Sequence, residues 1–174
     1  MYKKIPVKRY QKTLDFIRES IPSNAVILDL GVNNPFAEIM REQGWKVKNT
    51  QGEDLDVDQS FLLKEEYTVA TAFEILEHTL NPYTILSNIK AQHMFVSVPL
   101  KLWFAKAYQS KSDPWDRHFH EFEDWQFDWL VEKTGWEIVR REKWKSGGSL
   151  RGFRPVLRLI YPRYYMLELR KKQI

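Results

Sequence analysis

The sequence predicts an α/β fold: a doubly wound, mostly parallel sheet with helices on both faces and an antiparallel terminal strand pair. Three observations predict it. Short apolar runs of strand length alternate with stretches of helical periodicity, the pattern of βα units whose strands pair in parallel. The first such run, residues 25–30, is almost wholly apolar and stops at Gly31, as a buried parallel strand does. The last two strand-like stretches, Trp136–Trp144 and residues 164–169, follow one another with no helix expected between them, which suits antiparallel neighbours.

Taken in order, residues 9–21 place Tyr10, Leu14, Ile17 and Ile21 at helical spacing, and Pro22-Ser23-Asn24 ends that helix. After the first strand, Asn34 reads as an N-cap and Pro35 as the first helical residue. Phe36, Ile39 and Met40 then form the apolar stripe, and Gly44 is the stop. Residues 45–50 read as a second strand, and residues 67–73, rich in β-branched and aromatic side chains, as a third. A helix follows, restarted near Asn81-Pro82 and running through Ile85, Leu86 and Ile89. Residues 94–98 are another buried strand closed by Pro99, and residues 122–134 an amphipathic helix ended by Gly135. Nothing repeats and no low-complexity linker intervenes. Residues 1–174 are therefore expected to form one domain, with residues 1–22 as its N-terminal helical segment.

Composition removes several function classes. The 174 residues include no cysteine, which excludes disulfides and thiolate metal sites and makes a cytoplasmic location the expectation. No run approaches the roughly 18 apolar residues of a transmembrane segment, and Met1-Tyr2-Lys3-Lys4 leads into polar sequence without the apolar core of a signal peptide. Neither a Gly-x-Ser-x-Gly elbow nor a Gly-x-x-x-x-Gly-Lys loop occurs, so hydrolase and nucleotide-triphosphatase readings lack a motif. Charge is uneven: from Arg140 onward eleven Lys and Arg face two Asp and Glu, a net +9 against −5 for the rest. A solvated surface is the ordinary fate of such a run; contact with phosphates or acidic lipid is the functional one.

The most informative constellation is Glu74, Glu77 and His78. It lies just past the third strand, at the carboxyl edge where doubly wound sheets bind ligands. If a helix begins there, positions i, i+3 and i+4 share a face, so two carboxylates and an imidazole converge. Two oxygens and a nitrogen suit Mg²⁺ or Mn²⁺. Arg117-His118-Phe119-His120-Glu121-Phe122-Glu123 can supply a further ligand. Between Trp103 and Trp129 lie Phe104, Tyr108, Trp115, Phe119, Phe122, Trp125 and Phe127, with Lys111-Ser112-Asp113-Pro114 as a turn signal. Large aromatics are core by default; a lid over an apolar or ring-bearing substrate is the alternative. His93, beside a strand and without an acidic partner, reads as structural.

Four matches in order now resemble the class I S-adenosylmethionine-dependent methyltransferase superfamily, in the branch with a Phe-Glu-x-Leu-Glu-His signature. They are Ile27-Leu28-Asp29-Leu30-Gly31, then Thr71-Ala72-Phe73-Glu74-Ile75-Leu76-Glu77-His78, then the helix leading to Trp136-Glu137-Ile138-Val139, and last Tyr164-Tyr165-Met166-Leu167-Glu168-Leu169. The resemblance implies a Rossmann-like fold and S-adenosylmethionine as cofactor, with methyl transfer to oxygen or nitrogen of a small or medium-sized acceptor. Asp29 and Gly31 would hold its amino-acid end, Glu53 or Asp54 its nucleoside, and Asn33 and Phe73 are further cofactor-binding candidates. The family's Gly-x-Gly-x-Gly is altered here, because Asn33 and Pro35 stand at the second and third glycines. Asparagine tolerates the left-handed conformation, so the turn can form, and a scaffold that has lost its cofactor is the alternative. The aligned ribose-binding position falls on Gln51, and the short span to Tyr67 implies a curtailed helix and strand. Residues 101–116 fall where the superfamily inserts a substrate-covering segment. Glu-x-x-Glu-His with a later His-x-His-x-Phe-Glu also resembles small-RNA 3′-terminal 2′-O-methyltransferases, which makes RNA a candidate partner. That match makes Glu74, Glu77, His78 and His120 the candidate metal ligands. His118 joins Glu74, His78 and His120 as a candidate for acceptor activation.

Overall fold

Ile27 and Leu28 are neighbours in sequence and both completely buried, yet they serve different cores. Side chains alternate across a strand, so this is the signature of a sheet covered on both faces. The chain is described here from a computed structural model over residues 6–113, 116–146 and 151–173. The Met1-Tyr2-Lys3-Lys4 start, Pro114 of the expected turn, and Trp115 lie outside the described residues.

Six strands form one mixed sheet: β1 (Val26–Asp29), β2 (Lys46–Asn49), β3 (Val69–Phe73), β4 (His93–Pro99), β5 (Trp136–Trp144) and β6 (Tyr164–Lys171), in the order β2-β1-β3-β4-β6-β5. The first four are parallel, with Ile27 opposite Val47 and Val69. The last two run antiparallel, Met94 facing Leu169 and Ile138 facing Leu169 from the other side. The expected architecture is the observed one.

Helices α1 (Val7–Arg18) and α2 (Pro35–Glu42) cover one face, where Tyr10, Leu14 and Ile17 meet Phe36, Met40, Ile27 and Phe95. Helices α3 (Ser60–Lys64), α4 (Pro82–Asn88) and α5 (Asp124–Lys133) cover the other through Leu62, Ile85, Leu86, Phe127 and Val131. Trp136, fully buried, donates its indole N–H to the Leu86 carbonyl at 3.0 Å and so ties β5 to the end of α4. Asn34 caps α2 as expected, its side-chain oxygen accepting from the Phe36 and Ala37 amides at 2.9 and 3.1 Å. The curtailed span between β2 and β3 holds only the five-residue α3. No helix among the described residues is long and apolar enough to cross a membrane.

Three expectations need correction. A helix, α6 (Phe153–Ile160), does lie between β5 and β6. Gly152 and Pro155 disguise it, although proline is tolerated in a first helical turn. His93 does have an acidic partner: Glu168, across the β4–β6 pair, with Oε1 3.0 Å from the imidazole Nε2. Glu168 also accepts from Ser20 at 3.0 Å and from Arg140 at 3.1 Å. The aromatic run divides: Phe104, Phe122 and Phe127 are buried, whereas Trp103, Tyr108, Phe119, Trp125 and Trp129 are exposed.

Candidate active site

The strand order reverses between β1 and β3, and the carboxyl ends of these strands open onto a cleft, as expected at a topological switch point. Gly31 forms the turn there at φ +116°, in a region that side chains rarely adopt. A Cβ on Gly31 would come 3.1 Å from Ile75 Cδ1. Its amide donates to Thr50 Oγ1 at 2.8 Å, fastening the turn to the end of β2. Beneath it Asp29 is buried, accepting from the Thr71 hydroxyl at 2.6 Å and the Asn49 amide at 3.0 Å. Burial pushes its pKa up to about 7, with the hydrogen bonds from Thr71 and Asn49 opposing.

Two cavities meet at Gly31 and Ile75. One, of about 190 Å³, is walled by Arg9, Asp29, Asn34, Phe73, Glu74 and Ser97. The other, of about 630 Å³, is walled by Thr50, Glu53, Asp54, Leu55, Leu80 and Phe119 among others. Glu53 and Asp54 therefore reach the cleft, each spending one carboxylate oxygen on a nearby amide: Gln51 N at 2.7 Å and Asp56 N at 3.0 Å. Gln51 turns its side chain back to the Asn49 carbonyl instead.

Asn33 departs from its expected role. It is not left-handed, and its amide group lies against Glu38 at 2.8 Å and Arg41 at 2.7 Å, away from both cavities. Among the described residues Glu74 is the non-glycine residue with positive φ, at 58°. Such strain is characteristic of sites that other interactions hold in place. Here Glu74 N donates to the Ser97 carbonyl at 3.0 Å, and Glu74 Oε1 accepts from the Ser97 hydroxyl at 2.9 Å. Arg9 stands 3.8 Å from Oε2. Burial pushes the Glu74 pKa up, and the charge of Arg9 opposes it.

A third cavity, about 590 Å³, shares Glu74 and Arg9 with the first and His78 with the second. Glu77 sits in it at 1% exposure, with Oε2 lacking a hydrogen-bond partner among the described residues. Burial, reinforced by the charge of Glu74, drives the Glu77 pKa well up. Its Oε1 is 3.9 Å from His78 Nε2 and 4.0 Å from His118 Nε2, too far for hydrogen bonds. Both imidazoles are held from behind: His78 Nδ1 lies 2.9 Å from the Arg117 carbonyl, and His118 Nδ1 3.2 Å from Glu121 Oε1. Those partners only accept, so each Nδ1 carries a hydrogen and each Nε2 faces the gap. Burial and the charge of His118 lower the His78 pKa, which keeps that imidazole neutral.

Glu77, His78 and His118 thus offer three ligand atoms within 4.8 Å of one another. Glu74 is bonded to Ser97 rather than aimed into this group. His120 lies elsewhere, its Nε2 3.3 Å from the Leu80 carbonyl and its ring stacked on Phe122. The i, i+3, i+4 helix expected from Glu74 is replaced by a short 3-10 turn, Leu76–His78. Phe119 and His120 donate backbone N–H groups to the Glu77 carbonyl at 2.8 and 3.2 Å, which docks the second histidine segment. Sequence reasoning missed Arg9, Ser97 and Arg163. Ser97, the polar residue within the apolar run at residues 94–98, was the one with a signal.

The residues present fit S-adenosylmethionine in part. A close-approach glycine and two half-free carboxylates suit an adenosyl amino acid. The N-terminus of α2, however, is capped from within by Asn34, and Pro35 has no N–H to give.

Comparison with known proteins agrees with this architecture. A family model described as a methyltransferase domain matches residues 2–141. The fold is similar to that of an S-adenosylmethionine-dependent methyltransferase from Archaeoglobus fulgidus (TM-score 0.67, 14% identity, 98% of this chain and 96% of that one). It is also similar to Burkholderia thailandensis 1,6-didemethyltoxoflavin-N1-methyltransferase, solved with 1,6-didemethyltoxoflavin and S-adenosylhomocysteine (TM-score 0.64, 15% identity, 98% and 80%). The [4+2]-cyclase SpnF shares the fold as well (TM-score 0.57, 14% identity, 98% and 86%). No curated protein matches the chain by sequence. With the family model covering most of its length, the chain belongs to the methyltransferase-domain family.

Proposed function

We propose that the chain is an S-adenosylmethionine-dependent methyltransferase of the Phe-Glu-x-Leu-Glu-His branch, acting on an oxygen or nitrogen of a small or medium-sized acceptor. The observation that carries this reading is the shared wall: Glu74 and His78 line both the cleft beside Gly31 and the neighbouring carboxylate–histidine cavity. Bound S-adenosylmethionine would supply an electrophilic methyl group, displaced in line, so alignment is the protein's main contribution. Gly31, Phe73 and Glu74 would wall its amino-acid end, with Asp29 fixing the turn from beneath. Glu53 or Asp54 would hold its nucleoside end through the oxygen left free. His118 or His78 would take the acceptor's proton on Nε2 as general base, the imidazolium being steadied from behind by the Glu121 carboxylate or the Arg117 carbonyl. The described part of residues 101–116 would cover the acceptor, Tyr108 and Asp116 lining its cavity.

Thermal melting tests this. S-adenosylmethionine or S-adenosylhomocysteine at about 100 times its dissociation constant adds roughly 2.7 kcal/mol to stability. No shift at saturating ligand overturns the reading in favour of a non-catalytic module on the same scaffold.

A second reading, divalent-metal dependence, is favoured by the unpartnered Glu77 Oε2. Glu77, His78 and His118 would hold Mg²⁺ or Mn²⁺, His118 standing in for the His120 of the resemblance. The bonds behind both imidazoles are those that orient metal-ligating histidines, and the ion would lower the pKa of an acceptor hydroxyl. Wild-type activity after EDTA treatment removes this reading and leaves the general-base one.

A further inference from the structure

Among the described helices, α6 alone buries none of its residues. Its side chains are nevertheless sorted. Phe153, Val156, Leu157 and Ile160 recur at i, i+3, i+4 and i+7, one helix face, while Arg154 and Arg158 stand one turn apart on another. Phe153 is 67% exposed and Ile160 60% exposed. The patch extends past the helix: the Trp103 ring, 66% exposed, lies 6.4 Å from both Phe153 and Tyr161. Exposed apolar residues scattered singly need no explanation, but a contiguous cluster marks an interaction site.

Charge identifies what the cluster meets. Between Glu142 and Glu168 the sequence carries Lys143, Lys145, Arg151, Arg154, Arg158 and Arg163 and no acidic residue. Arg163 is committed to Glu121 at 2.8 Å, whereas Arg154 and Arg158 have no ion-pair partner among the described residues. An apolar stripe exposed at Phe153 and Ile160 and half-buried at Val156 and Leu157, free arginines beside it and an exposed indole and phenol at its rim are the features of a helix lying in a lipid interface. A nucleic acid would use the arginines but has no counterpart for Val156, Leu157 and Ile160.

We propose that α6, with Trp103 and Tyr161, docks the protein onto a bilayer surface bearing anionic headgroups. Phe153, Ile160 and Trp103 enter the headgroup–acyl boundary, and Arg154 and Arg158 face the lipid phosphates. Arg163 and Tyr164, which follow the helix closely, line the third cavity, so the docked face adjoins it. The proposal stands whether or not the cofactor binds.

Cosedimentation of the full chain with vesicles of phosphatidylcholine, alone or mixed with phosphatidylglycerol, tests it. Binding to the anionic vesicles is expected to be more than about tenfold tighter, with R154Q and R158Q each weakening it about fivefold. The double variant F153S/I160S is expected to weaken it about tenfold or more, with melting temperature unchanged because nothing in α6 is buried. Equal binding to neutral and anionic vesicles overturns the proposal. So does undiminished binding by F153S/I160S. Tighter binding of single-stranded RNA than of anionic vesicles, unaffected by F153S/I160S, assigns the surface to nucleic acid and overturns it too.

Discussion

Asp29→Asn makes a quantitative test of how the switch-point turn is held. The folded-state pKa of Asp29 is about 7 against an ordinary value of 3.8, because burial outweighs the hydrogen bonds from Thr71 and Asn49. Between those two values the folded protein keeps a proton on Asp29 that the unfolded chain has released. Stability therefore falls as pH rises through this window, levelling off above the folded pKa. Across the whole window the loss amounts to about 4 kcal/mol, at 1.36 kcal/mol per pKa unit. Between pH 5 and 6 the folded state holds about 0.9 of a proton more than the unfolded, so wild type loses about 1.2 kcal/mol there that the variant does not. The side-chain amide introduced by Asp29→Asn can also oppose the Asn49 amide, which cannot turn over without losing its 2.7 Å bond from Arg41. That cost is independent of pH and shifts the variant's curve without changing its slope. Urea unfolding at constant ionic strength, followed by tryptophan fluorescence, measures both slopes. Other buried carboxylates cancel in the comparison. Slopes that agree within about 0.3 kcal/mol per pH unit, a typical error of such differences, would refute the reasoning and make Asp29 an ionised group in the fold.

Three further outcomes are expected. Gly31→Ala places a Cβ 3.1 Å from Ile75 Cδ1 at a φ of +116°. It should cost about 1–3 kcal/mol by urea unfolding and abolish the melting shift with S-adenosylhomocysteine, Ile75→Val restoring part of the stability. Glu168→Ala strands buried His93 and removes one partner of Arg140, which keeps Glu19, and that of the Ser20 hydroxyl; a loss of about 3–5 kcal/mol by urea unfolding is expected. His118→Ala should lower methyl transfer by about 10²–10⁴-fold, while isothermal titration with S-adenosylhomocysteine gives an affinity unchanged within about threefold, roughly 0.6 kcal/mol.

The interior strands were legible because parallel strands covered on both faces must be apolar throughout, and β1, β3 and β4 are nearly so. Asn34 and Pro35 marked the start of α2 through local chemistry that no tertiary contact overrides. Helix α6 escaped because it makes no core contact, so its periodicity had no strand or stop signal to frame it. The partner of His93 escaped for the opposite reason: Glu168 is 75 residues away and meets it only through antiparallel register. At the site, the Glu74-Glu77-His78 cluster was readable as a group, but not its shape. Spacing presumed an α-helix, whereas the left-handed Glu74 delivers a 3-10 turn and aims Glu77 toward His118. Which of His118 and His120 faces inward depends on the amides bonded to the Glu77 carbonyl, and backbone pairing between distant segments leaves no trace in residue type.

The sheet ends in β2 on one side and β5 on the other. Among the described residues β2 is the border, only four residues long, with Lys46 exposed and Lys48 tied to Glu65 at 2.8 Å. At the other border β5 carries Arg140, Arg141, Glu142 and Lys143 and breaks register between Ile138 and Arg140. Short length, charge and irregularity are what prevent a border strand from recruiting a strand of another molecule. Continuation of one sheet into the next is therefore disfavoured between two copies of this chain, and an association between them would work through side chains.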